Sequence, residues 1–236
     1  MRNVPGLVIW STLLAPLMFS QPGARSIFID TTSNNITRPT DSRKTQANPT
    51  PAKSAGMSPT GLKYYLELEK PNGELEQVTT SHIFHSGERV RLHFTTNVDG
   101  FVYIFQRQPD GTAQALFPNA QLGVADNVVK TGQDMTLPST KAWFTFDQHP
   151  GDERLMVFVT PQKSVDIDRL AGNEVSVDAQ RTSSLAASIP PKGSRSLFIE
   201  VDDKSEKRAV YAVTNPASVS GASTAMLALE IVMQHR

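Results

Sequence analysis

The stretch SGERVRLHFTTNVDGFVYIFQRQPDGTAQALFPN, residues 86–119, combines apolar runs with turn signals and decides the fold class. Asp99-Gly100 and Asp110-Gly111 each predict a tight hairpin turn, because glycine readily takes the positive φ that such turns need. The run between them, residues 101–105, is apolar on both faces, which is typical of a central strand. We therefore expect consecutive antiparallel strands in this part of the chain.

Strand signals continue on both sides of this stretch. In residues 62–70, Leu62, Tyr64 and Leu66 alternate with polar residues, so a half-buried strand is predicted there. Similar patterns predict strands at 75–78, 90–94, 115–117, 143–146, 155–160, 197–201 and 209–213. We expect 143–146 and 155–160 to be joined across His149-Pro150-Gly151.

Three further segments complete the predicted fold. A short helix is predicted over residues 165–171, with Ser164 as its N-cap and Gly172 just past its end. Residues 173–196 are polar and contain prolines, which predicts a long loop. Residues 225–235 alternate and predict a strand, although their composition also favours a helix. The chain is therefore predicted to be all-β, an antiparallel immunoglobulin-like sandwich or a partly open barrel with a short helix.

The N-terminal part of the chain has a different character. Residues 6–19 form an uncharged apolar run, too short for a comfortable bilayer span, and small residues follow it. We predict a signal peptide over residues 1–24, cut after Ser20 or Ala24; an uncleaved anchor is the alternative. Residues 25–61 are rich in Thr, Ser, Asn and Pro and predict a disordered linker, with 27–29 as a possible short docking strand. The folded domain is expected at 62–236.

Composition excludes several classes of function. The chain has 23 basic and 23 acidic residues and no basic run, so nucleic acid is not an expected partner. It has no cysteine, which excludes disulfides, thiol nucleophiles and thiolate metal sites. Together with the signal peptide, this predicts a periplasmic or secreted bacterial protein with no stable membrane span after cleavage.

Four short motifs carry a resemblance to a known family. They are Ser86-Gly87-Glu88, Asp99-Gly100-Phe101, Leu116-Phe117-Pro118-Asn119 and Pro150-Gly151-Asp152-Glu153. In this order they resemble an uncharacterised bacterial domain of unknown function, DUF4384. The resemblance covers residues 62–161, with a family-like extension over 162–236. It implies an exported β-rich accessory domain, sometimes fused to kinase or caspase-like modules, and no assigned catalysis.

Histidines and carboxylates are the first candidates for a site. His82 and His85 lie three apart with His93 nearby, but on an extended segment they point to opposite faces, so no metal site is expected. Near strand ends lie Asp99, Asp110, Asp147, Asp152 and Glu153. These carboxylates could bind calcium, but their Gly and Pro neighbours favour turn hydrogen bonds instead. For Glu153, an ion pair with Arg154 or Arg89 is also expected.

Catalytic and aromatic signals are weak. The chain contains no G-x-S-x-G, H-E-x-x-H or P-loop motif, so no catalytic residue, metal or cofactor is predicted. Most aromatic residues are expected in the core, while Tyr65 and Trp143 could face outward and stack on a sugar or peptide.

These observations predict a non-enzymatic binding or accessory module of the bacterial cell envelope. Recognition of a protein or other ligand would use a sheet edge and loops, above all residues 173–196. The alternatives are an envelope hydrolase with a site assembled from distant residues, and a structural assembly module. The sequence leaves the ligand and the oligomeric state open.

Overall fold

The protein is a two-layered β-sandwich, as predicted. The computed structural model describes residues 23–29, 59–172, 176–205, 207–215 and 226–236. In these residues the strands are β1 (Gly61–Glu69), β2 (Leu75–Val78), β3 (Ile83–Phe84), β4 (Arg89–Thr96), β5 (Gly100–Arg107), β6 (Ala113–Phe117), β7 (Val128–Val129), β8 (Met135–Leu137), β9 (Phe144–Thr145), β10 (Gly151–Thr160), β11 (Leu197–Asp202), β12 (Ala209–Thr214) and β13 (Leu227–His235).

The strands form two sheets. The first sheet has the order β11-β12-β1-β4-β8, with β2 also paired to β1 and β9 to β4. The second has the order β3-β13-β10-β5-β6, with β7 also paired to β5. All pairs are antiparallel except β13 with β3. The C-terminal segment is thus a strand, which confirms the preferred prediction for residues 225–235.

The core lies between the two sheets and follows from the alternating pattern of the strands. In β1, Leu62, Tyr64 and Leu66 are buried, while the residues between them are partly exposed. In β5, Val102 and Ile104 join this core. Each buried aliphatic side chain contributes about 1.5–3 kcal/mol to stability. The inter-sheet core is therefore the main source of the fold's stability.

Two helices, α2 (Val165–Gly172) and α3 (Ala179–Ala187), cover the outer face of the second sheet. Tyr103 of β5 is fully buried beneath them, in one apolar cluster with Ile167 and Leu185. This explains why β5 is apolar on both faces. The helix predicted at 165–171 is confirmed, and the carbonyl of Ser164 accepts its first hydrogen bond.

The prediction of one long loop over residues 173–196 is wrong in part, because α3 lies within it. Asp178 caps this helix, its carboxylate accepting a hydrogen bond of 2.9 Å from the Arg181 amide. Only Thr182 and Leu185 of the helix are buried. With so few apolar residues the helical period is faint in the sequence, and tertiary packing decides the structure.

The two Asp-Gly turns have different structures. Gly111 has a φ of 88°, and the turn at Asp110-Gly111 joins β5 to β6 as a hairpin, as predicted. Gly100 has no positive φ, and Asp99-Gly100 instead connects β4 of the first sheet to β5 of the second. The predicted hairpin at Asp99-Gly100 is therefore wrong.

Two other local features also bear on the predictions. Residues 143–146 and 155–160 are joined across His149-Pro150-Gly151 as predicted, but the two strands lie in different sheets, because β9 pairs with β4 whereas β10 pairs with β5 and β13. The segment 27–29 is not a strand: Ser26–Ile29 is a short helix, α1, that packs with Ala24 beside Tyr211 of β12. Residues 1–22 and 30–58, with most of the predicted signal peptide and linker, lie outside the described residues. Among the described residues, no helix is both long and apolar enough to cross a membrane.

Candidate functional site

Strand β11 is an open edge of the first sheet. In the part of the chain that the structure describes, it pairs only with β12. The amide of Asn215 donates to the carbonyl of Ser196 at 2.9 Å, and Phe198 lies opposite Val213 in the same register. Antiparallel ladders alternate, so every second residue of β11 bonds to β12 and the others do not. The backbone N–H and C=O groups of Leu197, Ile199 and Val201 therefore point away from the sheet.

The side chains of this edge are apolar and accessible. Phe198, Ile199 and Val201 are 44%, 47% and 48% exposed. Ile199 and Val201 lie on the same face as Leu197, which packs against the inter-sheet core. Edge strands in soluble proteins are usually protected by charges, prolines or bulges. This edge of six residues has three exposed apolar side chains and no proline, and its charged residues are Glu200 and Asp202.

The opposite face of β11 is acidic and is held by the N-terminal segment. The amide of Arg25 lies 3.3 Å from a carboxylate oxygen of Glu200, and its guanidinium lies 2.7 Å from that of Asp202. Hydrogen bonds from Ser205 and the nearby charge of Arg25 hold the pKa of Asp202 below its ordinary value. The Asp202 carboxylate is therefore charged at neutral pH.

A shallow groove of about 1160 Å³ runs from β11 to β13. One wall is the segment 189–195, which belongs to the predicted contact loop and contains Pro190 and Pro191. The floor includes Arg154, which pairs with Glu230 at 3.0 Å and with Asp152 at 3.2 Å. The groove places apolar and charged groups directly beside the open edge.

Tyr65 and Trp143 both lie on the outer face of the first sheet. The Tyr65 ring stacks on His93 with 4.6 Å between centroids, and the Arg91 guanidinium lies 3.6 Å from the Trp143 ring centroid. Burial, with the negative charges of Asp134 and Glu67, raises the pKa of Tyr65 to about 12. Each ring is thus already stacked on a neighbour, which leaves less of it for a sugar or peptide.

Arg91 holds Trp143 in place on the outer face of the first sheet through several hydrogen bonds to its surroundings. Its guanidinium donates to the carbonyls of Thr140 and Ala142, at 2.7 and 3.1 Å, and to the Glu67 carboxylate at 2.9 Å. The cluster therefore fastens the loop before β9 to the sheet.

The three histidines named from the sequence do not converge. His82 lies 3.3 Å from Glu88, and Nδ1 of His85 lies 3.2 Å from the carbonyl of Arg236. His93 lies between Glu67 and Asp134. Within the described ranges, no group of three or more His, Asp or Glu side chains is placed to hold a metal ion.

Of the five carboxylates named from the sequence, Asp110 and Asp147 make the predicted turn contacts, whereas Asp99 bonds to a residue 32 positions away. Asp99 accepts hydrogen bonds from the amide and hydroxyl of Thr131, Asp110 from Thr112, and Asp147 from the His149 amide. These hydrogen bonds lower the pKa of each of the three carboxyl groups. The structure does not bring them together.

Glu153 has a different place from the one predicted. It accepts a hydrogen bond of 2.9 Å from Gln106, while Arg89 pairs with Glu69, and Arg154 with Asp152 and Glu230. Glu153 and Gln106 instead line a cavity of about 200 Å³ between the sheets, whose other walls include Leu66, Leu155 and Met233. The sequence does not predict that Glu153 faces this cavity. Glu153 continues the inner face of β10, where alternation alone predicts an apolar residue.

A contact between Ser86 and His235 was not predicted. Ser86 Oγ lies 3.1 Å from Nε2 of the fully buried His235, across 149 residues of sequence. A catalytic serine–histidine pair needs a third group on Nδ1, yet Nδ1 of His235 has no hydrogen-bond partner among the described residues. The amide of Gly87, next to the serine, already donates to the carbonyl of Phe146. This contact therefore ties the end of β13 to the loop before β4.

Fold and site together define a β-sandwich domain with an open, apolar sheet edge. Residues 83–163 match the family described as Domain of unknown function (DUF4384), which confirms the resemblance over that range. The match runs from β3 to β10, so β1 and the β11 edge lie outside it. No curated protein and no solved structure matches the chain.

Proposed function

We propose that the chain is an exported, non-enzymatic binding or accessory module of the bacterial cell envelope that recognises an extended segment of a protein through β11. The observation that carries this proposal is that β11 pairs only with β12 among the described residues, with Leu197, Ile199 and Val201 directing their backbone groups outward. An added strand would satisfy these groups with ladder hydrogen bonds and extend the first sheet.

Selectivity would come from side chains on the two faces of the added strand. One face would meet Leu197, Ile199 and Val201, so the incoming strand would carry apolar residues there. On the other face it would meet Phe198 and Glu200. The backbone would supply affinity, and this apolar and acidic pattern would supply the choice of partner.

Export is part of the proposal and determines where the partner is found. Ala24 is buried beside β12, and the carbonyl of Gly23 accepts hydrogen bonds from the amide and hydroxyl of Ser26. A cut after Ser20 keeps this segment whole, whereas a cut after Ala24 removes Gly23 and Ala24. We expect the intact mass of the exported chain to correspond to Gln21 as its first residue.

The experiment is affinity capture from the native envelope with the exported chain as bait. Ile199→Pro removes one outward N–H that makes no bond to β12, and proline is tolerated at such edge positions. Ile199→Val keeps the amide and is the matched control. We expect capture of a specific protein by wild type and by Ile199→Val, and its loss with Ile199→Pro. Equal capture by all three baits would reject the edge as the binding surface.

The hydrolase alternative has one specific observation in its favour, the Ser86–His235 contact. If it were right, wild type would turn over ester or peptide substrates in a hydrolase screen, and Ser86→Ala would lose that turnover. Our proposal predicts no turnover by either chain above the level of a buffer control.

A further inference from the structure

We infer that the segment received by β11 is β11 of a second copy of this chain, paired antiparallel about a two-fold axis at Ile199. This inference rests on the proposed function and names the partner at the same edge. Two-fold dimers are the commonest closed assemblies, and a strand at a two-fold interface must be complementary to the same strand of the second copy. The strand Leu197–Asp202 is self-complementary in this sense.

The backbone allows this register. An antiparallel two-fold at Ile199 places Ile199 opposite its own copy, and Leu197 opposite Val201 of the second copy. These three residues are the ones whose N–H and C=O groups point outward. All three pairs would therefore form bonded ladder pairs, and no outward group of β11 would be left unpaired.

The side chains fit the same register. On one face, Leu197 meets Val201 and Ile199 meets Ile199, so the exposed side chains of Ile199 and Val201 are covered by apolar neighbours. On the other face, Glu200 meets Phe198 of the second copy rather than another carboxylate. Opposite pairing of like charges destabilises a sheet, and this register avoids it.

Neighbouring registers are less favourable. A two-fold at Glu200 would place two carboxylates directly opposite each other and would pair Ile199 with Val201 only. A two-fold at Phe198 would pair Leu197 with Ile199 and place Val201 opposite Arg195, beyond the end of β11. Ile199 is thus the centre that uses every outward group without a charge conflict.

The first test is the molar mass of the full chain in solution, measured by light scattering after size exclusion. We expect wild type and Ile199→Val to have twice the mass of one chain, and Ile199→Pro to have the mass of one chain. Unchanged far-ultraviolet circular dichroism and thermal midpoint would show that Ile199→Pro is folded. A monomeric wild type at all concentrations up to about 1 mM would overturn the inference.

The second test uses the absence of cysteine from the chain. In the proposed register the two Ile199 Cα atoms lie about 5.5 Å apart, within the range of a disulfide. Two Val201 Cα atoms would be four residues apart along the strands, roughly 13 Å, beyond that range. We expect Ile199→Cys to give a disulfide-linked dimer under mild oxidation, and the equally exposed Val201→Cys to stay monomeric on a non-reducing gel. Linkage of Val201→Cys but not of Ile199→Cys would contradict the register.

The failure of this inference can be told apart from the failure of the proposed function. A monomeric wild type that captures a different envelope protein, with loss of capture in Ile199→Pro, would overturn the second copy as the partner and leave the edge as the binding surface. A monomeric wild type whose capture is unaffected by Ile199→Pro would overturn both.

Discussion

The backbone of Gly100 lies directly against that of Thr160. A Cβ on residue 100 would overlap the Thr160 carbonyl oxygen and lie 3.0 Å from Cα of Pro161. Residue 100 is the first of β5, whose neighbour β10 ends at Thr160. Glycine is needed here for close approach of two strands and not for a turn conformation.

Replacing Gly100 by alanine therefore forces the two backbones apart. Overpacking of this kind costs about 1–3 kcal/mol, so we expect Gly100→Ala to lower the free energy of unfolding by that amount in urea denaturation. The matched control is Gly151→Ala, because nothing lies within 4 Å of a Cβ added there. A loss of stability in Gly151→Ala as large as in Gly100→Ala would show that glycine removal in general, and not this contact, is responsible.

The pH dependence of stability in the acid range tests the contribution of the hydrogen bonds to Asp99. Donation by the amide and hydroxyl of Thr131 lowers the pKa of this carboxyl group in the folded chain. A group with a lowered folded pKa stabilises the fold above its ordinary pKa of about 3.9 and loses this contribution as pH falls through the folded value. We expect Asp99→Asn to be less stable than wild type at pH 7, with a difference that shrinks towards zero in strong acid.

The graded control for this prediction is Thr131→Val, which removes the hydroxyl donor and keeps the amide. It should show the same trend with a smaller amplitude in pH-dependent thermal unfolding. A difference between Asp99→Asn and wild type that is constant from pH 7 to strong acid would contradict the assignment.

The substitution Arg91→Lys tests whether the Arg91 guanidinium holds the loop before β9 against the sheet. Lysine keeps the charge beside Glu67 but cannot donate to the carbonyls of Thr140 and Ala142 together. Loss of these bonds is expected to cost about 1–3 kcal/mol of unfolding free energy. In the chain cut after Ser20 or Ala24, Trp143 is the remaining tryptophan, so its fluorescence should also change.

The matched control for Arg91 is Arg89→Lys on the same strand. Arg89 pairs with Glu69, and its side chain is 48% exposed, against 13% for Arg91. Exposed ion pairs contribute about 0–1 kcal/mol, so Arg89→Lys should leave stability almost unchanged. Equal effects of the two substitutions would show that charge rather than the guanidinium fork holds the loop.

Sequence patterns predicted the fold better than they predicted the site. The alternation in residues 62–70 and the double apolar run at 101–105 are local signals, and both became strands with the expected faces. At Asp99-Gly100 the sequence predicts the wrong connection, because a glycine needed for close approach looks the same in sequence as one needed for positive φ. Helix α3 has only a faint signal in the sequence, because its contacts come from distant residues.

The candidate site depends on position in the sheet rather than on residue type. Nothing in the sequence of β11 shows that it is the outermost strand, since that position depends on the pairing of β12 with β1. Likewise, Ser86 and His235 meet only because β3 pairs with the end of β13. Such relations follow from topology, which a single sequence does not contain.

The measurement that tests the central claim most directly is amide hydrogen exchange in β11 at single-residue resolution, across a dilution series of the chain. In dilute solution we expect slow exchange at Phe198 and Glu200, which bond to β12, and fast exchange at Leu197, Ile199 and Val201. On association, the fast amides should become protected. Protection of these three amides at every dilution, or fast exchange in the associated state, would contradict β11 as an open binding edge.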